Sequence, residues 1–77
     1  MNLYKITPLV ADVVGAALVA ARSNSEALIL INENNKDYVE GNISLLATKI
    51  EGVQSETESP YVVFDEMYIE DYHYESK

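Results

Sequence analysis

Seventy-seven residues, 48% of them hydrophobic, make one small domain with a modest core and are too apolar for a disordered chain. Thirteen acids against five bases give a formal net charge of −8, a field that repels nucleic acid and anionic membrane and attracts basic surfaces, which argues against direct DNA or RNA binding. There is no cysteine, so there are no disulfides and no thiol nucleophile, and that usage fits a reducing cytoplasm.

Residues Asn2–Thr7 alternate, Tyr4 and Ile6 to one side and Leu3, Lys5 and Thr7 to the other, which reads as a short strand. Pro8 has no N–H to give to a ladder, so the strand ends there or lies at an edge. Leu9–Val14 carries the chain round with Asp12 as the exposed turn residue. The weakly polar run Leu9–Ala21, with Lys5 before it and Val19-Ala20-Ala21 at its end, has the outline of a signal-peptide core. Asp12 inside it speaks against that, and the run is well short of the ~20 residues that a spanning helix needs.

Gly15–Ala21 suits helix by its alanines and strand by its alternation. The next residues decide. Ser23-Asn24-Ser25-Glu26 is a capping box, in which the Ser23 hydroxyl accepts from the Glu26 amide and the Glu26 carboxylate reaches back to the Ser23 N–H. A helix that begins there leaves Val13–Arg22 as a strand, forming a hairpin with the first. The helix runs from about Asn24 to Asn34, with Ala27, Leu30 and Ile31 as its apolar stripe and Leu28 and Ile29 widening it. Tyr38–Asn42 is a polar connector, Ile43–Val53 a third strand bent at Gly52, Gln54–Pro60 a solvated loop, and Tyr61–Ile69 a fourth strand. Beyond Glu70 the sequence reads as a fraying tail. The order β-β-α-β-β predicts an α+β fold in which two hairpins build a four-stranded, mainly antiparallel sheet with one helix across a face.

Leu3-Tyr4-Lys5-Ile6, Leu18 through Ala27 with its S-x-x-E-A helix start, and Ala47-Thr48-Lys49-Ile50-Glu51 together resemble small acidic proteins borne by phages and mobile elements. The resemblance spans Asn2–Phe64, and in size and acidity the chain is similar to anti-CRISPR and other anti-defence proteins. That resemblance implies a viral inhibitor acting in the host cytoplasm, one that imitates nucleic acid to block a CRISPR effector or another nucleic-acid-binding host complex. No motif residue carries over as a known functional position.

Few residues offer chemistry. His73 is the only histidine; Asp71, His73 and Glu75 form D-x-H-x-E, a poor transition-metal set without further His or Cys, and no metal or cofactor is expected. There is no Ser-His-Asp arrangement, no phosphate-binding glycine loop, and Asp65 and Glu66 point to opposite faces of a strand, so no enzyme is expected. The C-terminal stretch is different. Residues 41–77 hold eight acids and two bases, a net of −6, against −2 for residues 1–40. On a strand, residues two apart lie roughly 6.6–6.8 Å from each other on one face, close to the phosphate spacing of a nucleic-acid strand. Glu66 and Glu70 then share a face with Tyr68 and Tyr72, whose rings stack well on arginine. Asp65, Glu66, Tyr68, Glu70, Asp71, Tyr72 and Glu75 are the predicted contacts with a basic protein surface. The second reading is an assembly module that forms a homo-oligomer through the helix stripe and the Val62-Val63-Phe64 strand, the acids only solubilising.

Overall fold

The computed structural model describes residues 1–34 and 44–69. Strand β1, Asn2–Pro8, buries Tyr4 and Ile6 on one face and exposes Lys5 on the other, the period-two pattern read from its sequence. Pro8 stays in register opposite Leu45 and closes the strand. The chain then turns at Leu9–Asp12, where the Val13 N–H donates to the Val10 carbonyl at 3.3 Å. The predicted strand Val13–Arg22 is two strands, β2 at Val13–Val14 and β3 at Ala17–Ala21. Gly15, at φ 100°, breaks them apart, a conformation that the extended ladder does not contain. β3 runs antiparallel to β1, with Lys5 opposite Leu18 and Ile6 opposite Ala17, so the first hairpin is as expected.

Helix α1, Asn24–Asn34, starts on the predicted cap: the Glu26 N–H donates to the Ser23 hydroxyl at 3.1 Å. The reciprocal half differs by one residue. Glu26 accepts from the Arg22 N–H at 2.7 Å and from its guanidinium at 3.0 Å, because the arginine adds an ion pair that the Ser23 amide cannot supply. Ala27 and Ile31 are buried and Leu28 and Leu30 pack beside them, whereas Ile29 is 60% exposed and does not widen the stripe. With Ala27 and Ile31 set against the sheet, the helical turn of 100° per residue carries Ile29 to the far side.

Three strands follow: β4, Leu45–Gln54, β5, Tyr61–Asp65, and β6, Tyr68–Ile69. The main sheet has the order β4-β1-β3-β5, antiparallel throughout, and β2 pairs with β6 in a two-stranded extension. One helix packs on a four-stranded antiparallel sheet, an α+β fold. The second hairpin of the sequence reading does not form. β4 pairs with β1 and β5 with β3, so the two strands lie at opposite edges. The Ser55–Pro60 connection crosses the end of the sheet, where the Ser55 N–H donates to the Met1 carbonyl at 2.8 Å. This arrangement gives both inner strands, β1 and β3, a ladder on each side.

The core is thin. Among the described residues it holds Tyr4, Ile6, Val13, Ala17, Val19, Ala21, Ala27, Ile31, Ala47 and Met67, of which Ile6, Ile31 and Val19 are the largest that are fully enclosed.

Candidate protein-binding end

The predicted site begins where β5 ends. The fourth strand of the sequence reading, Tyr61–Ile69, breaks after Asp65 into β5 and β6. Asp65 makes the break: its Oδ1 accepts from the Met67 N–H at 3.0 Å, an Asx turn two residues long. Its Oδ2 accepts from the Asn34 side chain at 2.8 Å, at the last residue of α1. Met67 is buried, 3% exposed, and anchors the turn in the core. Opposite the turn, the Glu66 N–H donates to the Ala16 carbonyl at 3.0 Å. Gly15 lies so close to the Glu66 carbonyl that a Cβ there would collide with it. The breaks in the two predicted long strands therefore face each other and form one joint.

Glu66 is exposed between two residues that face the helix side, Asp65 and Met67, and so points to the other side of the sheet. Tyr68 is 54% exposed and pairs with Val14. Glu66 and Tyr68 are both exposed, on either side of the buried Met67. Asp65 is set apart from them: it is half-buried, directed at the helix and held by the Asn34 side chain and the Met67 amide. Glu70, Asp71, Tyr72 and Glu75 lie outside the described residues, as does the D-x-H-x-E stretch.

The described acids of the C-terminal half fall into two groups. Glu51, Glu56 and Glu58 are exposed on β4 and the following loop, at the end of the sheet near Met1. Asp65 and Glu66 are at the other end, roughly 17 Å along β5 at about 3.3 Å per residue. The sequence reading missed what joins them there. Glu33 is exposed in the last turn of α1, one residue before the Asn34 that bonds Asp65, and that turn has no basic residue. The helix C-terminus carries about half a negative charge of its own. Glu33, Asp65 and Glu66 thus lie toward the end of the molecule where the helix finishes. An acid in the last turn, with no lysine or arginine in that turn, was the available signal.

Among the described residues the one ion pair is Arg22–Glu26, at the opposite end of the helix. Neither Lys5 nor Lys49 pairs with an acid there. No described helix is long and apolar enough to cross a membrane. Among the described residues there is no group of three metal-ligating side chains and no ligand-sized cavity. Compared with protein-family models, curated proteins and solved structures, the chain matches none.

Proposed function

We propose that this is a non-catalytic binding protein whose acidic, tyrosine-bearing end docks on a cationic protein surface of the kind that otherwise holds nucleic acid. One observation carries the reading. Glu33 and Glu66 stand exposed at the end where α1 finishes with no basic residue in its last turn, and among the described residues neither has an ion-pair partner. Like charge at the wrong end of a helix costs about 0.3–1 kcal/mol per residue, and an arginine- or lysine-rich partner would recover that. Tyr68, exposed beside Glu66, offers a ring to stack on a guanidinium. The acids and tyrosines Glu70, Asp71, Tyr72 and Glu75 extend the same composition. The inhibitor of a host nucleic-acid-binding complex, implied by the resemblance to anti-defence proteins, is the specific form of this reading.

Capture from nuclease-treated bacterial lysate, followed by mass spectrometry, tests it. The retained proteins are expected to be basic nucleic-acid binders, released by added salt and displaced by single-stranded DNA. Reversal of Glu66, Glu70 and Asp71 to lysine removes the capture while circular dichroism stays unchanged; Asp65 is left intact because it holds the turn. Unaltered capture by that triple variant would end the proposal.

A further inference from the structure

The sheet has a second face, and no described element covers it. Across it run three rows of side chains read from the register. The first holds Leu3, Ala20 and Tyr61; the second Thr48, Lys5, Leu18 and Phe64; the third Leu46 and Thr7, with Glu66 at its far corner. This face carries larger apolar groups than much of the core: Leu46, Tyr61 and Phe64 are 49%, 44% and 45% exposed, while six of the ten core residues are alanine or valine. A sheet with helix on one side only normally presents polar residues on the other. Large side chains outside and small ones inside are the reverse of what a chain that stands alone would use.

We propose that a second copy of this chain covers the open face, in a two-fold dimer packed sheet on sheet. Three features favour a copy over another occupant. The first is size: four strands about 4.8 Å apart and three rows about 6.7 Å apart give roughly 400 Å² of flat area on each copy. Side-chain relief brings the pair near the ~1,000 Å² at which specific interfaces begin. The second is pattern: a two-fold axis parallel to the strands lays β4 over β5 and β1 over β3, which sets Phe64 of one copy over Thr48 of the other and the Lys5 stem over Leu18. The third is charge: Lys5 is the single cation on this face, exposed and without an ion-pair partner among the described residues. In that arrangement Glu66 of the second copy lies one strand and one row from it, roughly 8 Å in the plane of the sheet, within the combined reach of the two side chains. Each copy then supplies one lysine to the other's glutamate, as an isologous interface requires.

Sedimentation velocity of the purified chain, from low micromolar to submillimolar concentration, is the test. The expected species is a dimer of the 8.6 kDa chain. Leu46→Glu and Phe64→Glu, both at exposed positions, give monomers with unchanged circular dichroism. Lys5→Glu and Glu66→Lys each weaken self-association by roughly tenfold or more, and the double reversal restores it, since only a copy of the same chain carries both changes. A monomer at the highest concentration, a dimer that survives Leu46→Glu and Phe64→Glu, or a double reversal that fails to restore association overturns the proposal. No basic partner is present in this measurement, so its failure leaves the proposed function standing, and the reverse holds too.

Discussion

Two glycines share a left-handed backbone and answer to different surroundings. Gly15, at φ 100°, faces the Glu66 carbonyl, and Gly52, at φ 79°, has open space where a Cβ would go. Gly52→Ala therefore incurs only the backbone term, about 1 kcal/mol. Gly15→Ala adds a collision with main chain that has no flexible end to move, so the combined loss is about 3 kcal/mol or more. Urea denaturation of both variants gives the order; equal losses would mean that the joint at Glu66 is not rigid. Asp65→Ala frees the Met67 N–H and the Asn34 amide together and is expected to cost about 1–3 kcal/mol. That cost is the reason a binding test must spare it. The sequence made Asp65 look equivalent to Glu66, since adjacent acids differ only by the face they take. Nothing local says that one of those faces meets the end of a helix.

At the scale of elements, what was legible is what is encoded by neighbours in sequence. Ser23 and Glu26 are three residues apart, and the helix starts on them. Tyr4 and Ile6 alternate with Lys5, and the strand follows. Strand order is not encoded that way. Gln54–Pro60 looks like a hairpin loop, yet β4 and β5 go to opposite edges because β1 and β3 each need two neighbours. The breaks at Gly15 and Asp65 escaped notice for a related reason: each is intelligible only against the other, and they are about fifty positions apart in the chain. The helix offers a direct check of its buried side. Ile31→Ala should cost about 2–5 kcal/mol, as a fully enclosed side chain does. Ile29→Ser, on the exposed side, should stay within about 0.5 kcal/mol. Ser23→Ala should lose about 1 kcal/mol with the cap. Thermal unfolding of the three variants separates them, and an Ile29 effect as large as that of Ile31 would show that something covers the helix.

For the whole molecule the deciding quantity is a net charge of −8 on 77 residues. Most acids repel one another across the surface, and the folded chain holds them closer than the unfolded chain does, so screening favours the fold. Going from low ionic strength to about 0.15 M shortens the Debye length to about 8 Å, less than the spacing of many of these charges. Stability should rise with sodium chloride over that range, by about 1 kcal/mol, or about 4–8 °C in Tm for a domain of this size. Like-charged copies obey the same sign, so self-association through the apolar face should strengthen as salt is added. A cationic partner obeys the opposite sign, because attraction is what the salt then screens. Glu66 belongs to both surfaces, at the corner of the open sheet face and beside Tyr68, so the basic partner and the second copy compete for it. The partner-bound protein should accordingly sediment as one chain per partner at low salt and return to dimer as salt releases it. Titration of a captured partner, followed by sedimentation at two ionic strengths, reads the exchange. A dimer that stays intact with the partner bound would show that the two surfaces do not share Glu66.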